Sequence, residues 1–162
     1  MLKISRLSDY AVVLLTALAD DPHDDEFKPL RANTRSLAER TGINLPTAGK
    51  LLKLLNGQSI VRSRQGRNGG YFLARPASEI TLAQIIEAID GPIAMTDCFR
   101  PDHDCALQED CAVRPHWGVI TQKVYALMDA ITLADMARPV TDRPLMAQVP
   151  VWHERPRSGT LS

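Results

Sequence analysis

The chain has 162 residues, of which 44% are hydrophobic and 23% are charged, with 19 basic and 19 acidic side chains. This ordinary globular composition is enough for one domain with a hydrophobic core and an appendage. The longest mainly apolar stretch, residues 10–19, is half of the roughly 20 residues that a membrane-spanning helix needs. The start lacks the apolar region and small-residue cleavage site of a secretory signal. We therefore predict a cytoplasmic protein without membrane association.

The zero net charge conceals a strong asymmetry along the chain. Residues 31–75 contain nine basic residues and one acidic residue, a net charge of +8. Residues 76–136 contain three basic and ten acidic residues, a net charge of −7. A polyanion responds to the local surface charge and not to the total, so this balance does not exclude nucleic acid as a partner.

The first half of the chain predicts helices followed by a hairpin. Residues 10–19 are almost continuously apolar and follow Ser8 or Asp9, either of which can cap a helix. A short helix over residues 34–40 ends at a Thr-Gly turn, and a second begins at about residue 45 and continues to about residue 56. This order is the outline of a helix-turn-helix. The predicted apolar face of its second helix comprises Ile43, Leu51, Leu52, Leu54 and Leu55.

Two short strands, residues 59–63 and 70–74, flank a basic glycine-containing tip and predict a wing. An amphipathic helix follows, opened by Ser78 or Thr81 and ending near Ile89. After the cysteine-containing segment, the helical pattern returns and continues through residue 137. The tail beyond residue 138 contains four prolines and few apolar repeats, so we predict disorder there. The predicted fold class is mainly α with a small β-hairpin wing.

A helix-turn-helix inserts its second helix into the major groove, and a wing with arginines suits a narrow minor groove. The helix, turn, helix and wing carry most of the basic residues, which favours double-stranded DNA as the partner over a merely solvated basic surface. The second helix has no arginine for bidentate contact with guanine, so shape readout by the wing is expected to matter. The candidate DNA-binding residues are Asn44, Thr47, Lys50 and Lys53 on the helix and Arg62, Arg64, Arg67 and Asn68 in the wing.

All three cysteines, Cys98, Cys105 and Cys111, lie within fourteen residues of the acidic half. An odd number argues against a disulfide framework. Their spacing is wider than the Cys-x-x-Cys of structural zinc sites, and a longer loop could surround an iron–sulfur cluster. Spacing alone leaves zinc, an iron–sulfur cluster and redox-active thiols equally open. Local candidates for a fourth ligand are His103, His116, Asp102 and Asp104.

The sequence contains no Ser-His-Asp arrangement, P-loop or dinucleotide-binding motif. We therefore predict that the protein is not an enzyme and has no small-molecule substrate. An iron–sulfur electron carrier that does not bind DNA remains an alternative.

Several motifs, in order, resemble those of the IscR/NsrR family of winged-helix iron–sulfur transcriptional regulators. They are the opening LKISRLSDYA (residues 2–11), the helix and turn LAERTGI (37–43), the wing GRNGGY (66–71), the exit LARP (73–76), the ITL to IDG helix (80–91) and the three-cysteine loop. The segments GPIAMTDC (91–98) and CAVR (111–114) are most similar to the branch that regulates the Suf iron–sulfur assembly system.

The resemblance implies a homodimeric regulator in which three cysteines hold a 2Fe–2S or 4Fe–4S cluster, with the nuclearity left open. IscR-like members place a histidine three residues after the last cysteine, but Arg114 stands there and cannot bind iron. NsrR-like members use an acidic residue near the N-terminus of the partner subunit, and Asp9 matches that position. Asp9 is thus the first candidate for the fourth ligand, and His116 is the alternative. Asp9 could instead serve only as the N-cap of the first helix.

The sequence patterns and the resemblance together divide the chain into four parts. Residues 1–91 are the predicted winged helix-turn-helix DNA-binding domain, and residues 92–116 are the cluster-binding loop, called the cysteine loop below. Residues 117–137 are the predicted dimerisation helix, and residues 138–162 are the disordered tail. The competing interpretation keeps the DNA-binding domain but gives the cysteines a structural zinc ion or redox-active thiols.

Overall fold

The computed structural model describes residues 4–19, 32–66, 69–100 and 110–138. The predictions for Arg67, Asn68, Cys105 and nearly all of the disordered tail lie outside these ranges. The described α-helices are α1 (Arg6–Ala19), α2 (Thr34–Thr41), α3 (Leu45–Gly57), α4 (Leu82–Asp90), α5 (Arg114–Asp129) and α6 (Leu133–Ala137). The described strands are β1 (Val61–Arg64) and β2 (Gly70–Leu73), and short 3-10 helices cover Ala77–Glu79 and Asp97–Phe99.

Local capping explains why α2, the turn and α3 form. The Asn33 side chain accepts a hydrogen bond from the Ser36 amide at the start of α2, which satisfies an amide that a helix start leaves free. Gly42 ends α2 with φ of +70°, in the left-handed region that glycine enters at little cost. Asn44 caps α3 in the same way as Asn33 caps α2, and Pro46 lies in the first turn. The predicted helix-turn-helix is confirmed.

The predicted hairpin is also confirmed. The strands β1 and β2 are antiparallel, with Val61 opposite Leu73 and Arg64 opposite Gly70. An isolated bridge between Ala32 and Tyr71 ties the segment before α2 to β2. The chain is thus mainly helical with a two-stranded wing next to the helix-turn-helix, as the sequence predicted.

The hydrophobic core lies around α1, which packs against α2, α3, α4 and α6. Fully buried leucines and isoleucines from these helices fill it, and Val61 joins them from β1. Leu54 was predicted to belong to the apolar face of α3, but 38% of it is exposed. That prediction was wrong because Leu51, Leu52 and Leu55 occupy the arc that faces the core, and Leu54 lies outside that arc.

The start of α1 differs from the prediction. The helix begins at Arg6, because the Ser5 hydroxyl accepts a hydrogen bond of 3.0 Å from the Ser8 amide and thereby takes the N-cap role. Neither Ser8 nor Asp9 caps the helix, and both lie in its first turn. Ser8 is fully buried and its hydroxyl donates to Asp90 at the end of α4, 2.7 Å away.

The single helix predicted over residues 117–137 is wrong. The structure divides this segment into α5, which begins three residues earlier at Arg114, and the short α6. Thr132 and Asp135 form a capping box that starts α6 anew. Backbone hydrogen bonds of 2.8 Å, from Leu82 to the Ile131 carbonyl and from Leu133 to the Ile80 carbonyl, hold the break against the start of α4.

The last five residues of the predicted dimerisation helix, which form α6, therefore pack on the DNA-binding domain. Leu133 of α6 is fully buried within the core that α1 organises. The helix α5 is different, because none of its residues is buried. Its exposed apolar side chains include Trp117, Val119, Ile120, Tyr125 and Leu127.

Candidate DNA interface and cysteine site

One side of α3 faces away from the core and lines an open groove of about 520 Å³. Lys50 and Lys53, both predicted DNA-binding residues, lie on this side and are exposed. Their spacing places them on one helical face, so two ammonium groups can approach the same phosphate backbone. The groove is lined by Pro46, Gly49, Lys50, Lys53 and Leu54.

The small and apolar members of this groove were not identified from the sequence as part of the interface. From the sequence, Leu54 is predicted only as part of the apolar face of α3. The signal was available, since positions 46, 49, 50, 53 and 54 follow the three- and four-residue steps of one helix face. Their low polarity gave no chemical reason to single them out.

The two predicted contacts at the start of α3 have local roles as well. The Asn44 side-chain oxygen accepts a hydrogen bond from the Thr47 amide at 2.9 Å. Asn44 is exposed, so its NH₂ group, a donor, is the part of the side chain left for an external acceptor. Thr47 is half-buried. The start of α3 thus presents fewer free polar atoms than its sequence suggests.

The wing presents arginines from its first strand. Arg62 and Arg64 are both exposed and, two residues apart on β1, they lie on the same face of the hairpin. Gly66 has φ of +115°, which only glycine adopts without strain. A Cβ at Gly69 would collide with the Arg64 carbonyl oxygen. These two glycines let the chain turn tightly between β1 and β2.

The surface between α4 and α5 has the opposite charge. The charge of Glu87 is the largest cause of a raised pKa at Tyr125, followed by desolvation and by the charge of Asp129. Asp129 also accepts a hydrogen bond of 2.9 Å from the Thr81 hydroxyl. The charge asymmetry of the sequence therefore corresponds to separate basic and acidic elements in the fold.

The cysteine loop has one described thiol near each end. Cys98 lies in the 3-10 helix Asp97–Phe99, and Cys111 lies just before α5. Both are free thiols and half-buried, which keeps them accessible to an incoming ion or cluster. The Cys98 sulfur is 3.0 Å from the Thr96 hydroxyl oxygen, so a hydrogen bond fixes its position.

Two candidates for a fourth ligand, Asp9 and His116, are exposed, whereas Asp102, His103 and Asp104 lie outside the described residues. Asp9 is in the first turn of α1 and His116 is in the first turn of α5. Because Ser5 caps α1, Asp9 has no N-cap role and its carboxylate is not used for that purpose. Within the described ranges, no three ligand-type side chains gather into a metal-binding group. The two described thiols fit a thiolate-ligated group in chemistry and accessibility, and they would need Cys105 and a further ligand to complete it.

Phe99 and Arg114 connect the two ends of the cysteine loop. The guanidinium carbon of Arg114 lies 5.7 Å from the centre of the Phe99 ring, within the range of a cation–π contact. The Arg114 amide donates to the Cys111 carbonyl at 3.2 Å. Phe99, which follows Cys98 in the chain, thus contacts Arg114, whose amide is hydrogen-bonded to the Cys111 carbonyl. The sequence does not predict this contact, because Arg114 stands out there only as a residue that cannot bind iron.

The sequence profile of the Rrf2 family, described as an iron-dependent transcriptional regulator, matches residues 4–139. The chain belongs to the Rrf2 family. It is therefore a helix-turn-helix transcriptional regulator, and the regulatory and DNA-binding parts of the sequence prediction are confirmed at that level. None of the helices in the described ranges is long and apolar enough to cross a membrane.

Named relatives cover almost the whole chain. The transcriptional repressor NsrR of Streptomyces coelicolor is 28% identical over 151 residues, which is 88% of this chain and 99% of that protein. The solved structure of T. potens IscR is 30% identical, with a TM-score of 0.58 and coverage of 83% of this chain and 85% of that one. CymR, the global cysteine regulator of B. subtilis, is 27% identical, with a TM-score of 0.64 and coverage of 85% and 97%.

Proposed function

We propose that this Rrf2-family regulator binds an operator in double-stranded DNA as a homodimer and represses transcription according to the state of an iron–sulfur cluster. Cys98, Cys105 and Cys111 would hold the cluster, and Asp9 of the second subunit would supply the fourth ligand, with His116 as the alternative. The genes of the Suf iron–sulfur assembly system are the proposed targets, and the proposed location is the cytoplasm.

One observation carries the sensing part of this proposal. Two free, half-buried thiols lie at the ends of one loop, and that loop joins the DNA-binding domain to α5. The family description as iron-dependent supports iron as the metal. Thiolates are the usual protein ligands of iron–sulfur clusters. The bound cluster would supply a redox-sensitive and reactive group at this junction.

The described residues suggest how the cysteine loop could influence DNA binding. The Ser8 hydroxyl donates to Asp90, the last residue of α4, so the first turn of α1 is tied to the point where the cysteine loop begins. Asp9 is in that same turn. A ligand role for Asp9 in the second subunit's site would therefore fix the relative position of two DNA-binding domains. For adjacent half-sites their recognition helices, α3 in each subunit, need a separation of about 34–36 Å.

The DNA part of the proposal assigns phosphate and groove contacts to residues of α3 and the wing. Lys50, Lys53, Arg62 and Arg64 are exposed, which a phosphate contact requires. Asn44 and Thr47 at the start of α3, and Arg67 and Asn68 at the wing tip, are proposed contacts as well. Phosphate neutralisation releases counterions, so affinity should fall steeply as the salt concentration rises.

The test of sensing begins with anaerobic purification and a visible absorption spectrum, with iron, zinc and acid-labile sulfide measured on the same sample. Broad absorption near 400 nm with matching iron and sulfide is expected for a cluster. Cys111→Ala should lose both, whereas Ala112→Ser, an exposed neighbour, should keep both. A colourless protein after attempted reconstitution would refute the cluster and leave the DNA-binding regulator.

The test of the target begins by selecting tight-binding sites from random duplex DNA with the cluster-containing and the cluster-free protein. The selected operator is then sought upstream of Suf genes in the source genome. Enrichment of one operator by only one of the two forms, together with its presence there, is the expected result. Equal affinity of both forms would refute cluster control, and absence of the operator from Suf promoters would refute the proposed target.

A second candidate is regulation by the thiols themselves. The similarity to CymR, which is a global cysteine regulator, and the free state of Cys98 and Cys111 favour it. In that case the purified protein would contain neither iron nor sulfide, and mild oxidation would change its operator affinity. A structural zinc ion differs from both candidates, because zinc would be present in equimolar amount and would give no visible absorption.

A further inference from the structure

The segment between Cys98 and Cys111 is closed by contacts of α5 with a single aromatic ring. Arg114 and Gly118 are four residues apart on α5 and so lie on one face of the helix. The Arg114 guanidinium lies over the Phe99 ring, and a Cβ placed at Gly118 would be 3.2 Å from the Cζ atom of the same ring. Phe99 therefore packs against the first turns of α5, where a Cβ at position 118 would require the ring to move by a few tenths of an ångström.

These contacts have a direct consequence for the thiols. Phe99 follows Cys98 in the chain, and the Arg114 amide is bonded to the Cys111 carbonyl. Twelve residues separate the two cysteines, and holding the ends of such a segment together costs conformational entropy. A contact that already joins the ends removes part of this cost from any later binding step.

We propose that Phe99, Arg114 and Gly118 form a clasp that closes the cysteine loop and positions Cys98 and Cys111 before a cofactor binds. The clasp rests on the proposed function only in that these thiols are taken as cluster ligands. Arg114 is thus a positioning residue, acting through Phe99 and the Cys111 backbone. Where the resemblance places a histidine ligand in IscR-like members, this chain uses the side chain to hold the loop.

The chemistry of the clasp requires each of its members. The Arg114 Nε atom is buried and has no hydrogen-bond partner among the described residues, and the guanidinium carbon lies over the Phe99 ring. A flat guanidinium on an extended stem suits stacking on a ring, and lysine keeps the charge without the planar surface. Glycine is unfavourable inside a helix, so its presence at position 118 has a packing reason.

The experiment uses the full-length, reduced, metal-free protein and measures amide hydrogen exchange by NMR. The amides of Phe99 and Arg100 report the clasp, because they are bonded to the Thr96 and Asp97 carbonyls at 3.1 and 2.9 Å. Phe99→Leu should accelerate exchange of the Arg100 amide about two- to fivefold, the worth of one cation–π contact. Phe99→Tyr, which keeps the ring, should leave it close to the wild-type rate.

A disruptive and a conservative variant of Arg114 test the other side of the contact. Arg114→Gln should accelerate exchange at Arg100 to a similar extent, and Arg114→Lys should give an intermediate rate, because it keeps the cation without the planar guanidinium. The buried Leu133 amide, bonded to the Ile80 carbonyl, should be unchanged in every variant. Acceleration at Leu133 equal to that at Arg100 would show general destabilisation and overturn the clasp.

Gly118→Ala tests the packing, because its effect on the exchange rate of the Arg100 amide should differ between two backgrounds. In the wild-type background the added Cβ should displace the ring and accelerate exchange at Arg100. In the Phe99→Leu background the smaller side chain leaves room, so the same substitution should have no effect or slow exchange, since alanine favours helix. Equal effects in both backgrounds would overturn the proposal, because they would show that position 118 does not act through Phe99.

Failure of the clasp and failure of cluster sensing are distinguishable. Wild-type protection of Arg100 in every variant would overturn the clasp even if the purified protein contains a cluster. Clasp-dependent protection in a protein that binds no iron would keep the clasp and refute the sensor. If both hold, Phe99→Leu and Arg114→Gln should release the iron of the reconstituted protein to a chelator at least about twofold faster than Phe99→Tyr.

Discussion

The most demanding prediction concerns Leu133, because it tests whether α6 belongs to the DNA-binding core. Leu133 is fully buried, whereas Met136 on the same short helix is 39% exposed. Leu133→Ala removes buried methyl groups and leaves a cavity, and such changes cost about 2–5 kcal/mol in well-packed cores. Backbone hydrogen bonds join Ile131 to Leu82 and Leu133 to Ile80, so the site has little freedom to collapse. We therefore expect a decrease of about 3 kcal/mol in the free energy of unfolding.

Urea unfolding followed by far-ultraviolet circular dichroism measures this decrease. With an m-value of about 1.5 kcal/mol/M, the midpoint of Leu133→Ala should fall by about 2 M. Met136→Ala is the matched control and should shift the midpoint by less than about a quarter of that amount, as expected for a partly exposed side chain. Each variant is measured at several protein concentrations, because dimer formation would couple unfolding to association. Equal shifts for the two variants would refute the assignment of α6 to the core.

Three further predictions test other parts of the structure. Lys50→Ala should reduce the slope of log affinity for operator DNA against log salt by about 1, because one phosphate is no longer neutralised. Lys123→Ala on α5 is the control and should leave this slope unchanged. Equal slopes for the two variants in fluorescence anisotropy titrations would argue against α3 as the DNA-contacting helix. Gly91 has φ of +82° and ψ of −172°, a conformation open almost only to glycine, so Gly91→Ala should destabilise the protein by about 1–3 kcal/mol in thermal melts. Gly57→Ala, at a helical position with open space around it, should instead be neutral or stabilising by up to about 1 kcal/mol. Ser8→Ala removes the buried hydroxyl that donates to Asp90 and should cost about 1 kcal/mol in equilibrium unfolding; an unchanged stability would show that this hydrogen bond contributes nothing.

Much of the DNA-binding half could be predicted because its determinants are local. Asn33 and Asn44 stand before apolar helical patterns, Gly42 stands after one, and each adopts the backbone conformation for which its residue type is suited. The hairpin followed from two short β-type runs around glycines. The helix caps join residues at most a few positions apart, and the hairpin pairs residues at most twelve positions apart.

The end of the fold could be predicted only in part, because distant contacts decide it. The Thr132 and Asp135 capping box is a local signal for a helix start, and it was overlooked because the apolar pattern continues across it. The bonds that hold the break join residues 80 and 82 to residues 131 and 133. A pattern read along one helix cannot show that its last turn packs on an element some fifty residues earlier.

The cysteine site, too, could be predicted only in part, because residue types and spacings are visible in the sequence and contacts between distant residues are not. The three cysteines could be selected by type and spacing alone. That Asp9 is not an N-cap depends on Ser5, whose capping role shifts the helix start by several residues. The contact between Phe99 and Arg114 joins the two ends of the loop, and no local rule relates these positions. Their assignment to a cluster stays a proposal that the metal analysis tests.

The helix α5 offers a physical route from the cysteine site to the DNA-binding domain, because both of its ends are held. At its start, Arg114 contacts Phe99 of the cysteine loop; at its end, Asp129 accepts a hydrogen bond from Thr81, the N-cap of α4. A tilt at the start of α5 would therefore strain the Asp129 hydrogen bond or displace the start of α4. Between its ends, apolar side chains such as Leu127, which is 63% exposed, have no cover from the described residues. If a second copy packs on this surface, as the homodimer proposal requires, the same tilt changes the relation between the two DNA-binding domains, and the separation of the two α3 helices changes with it.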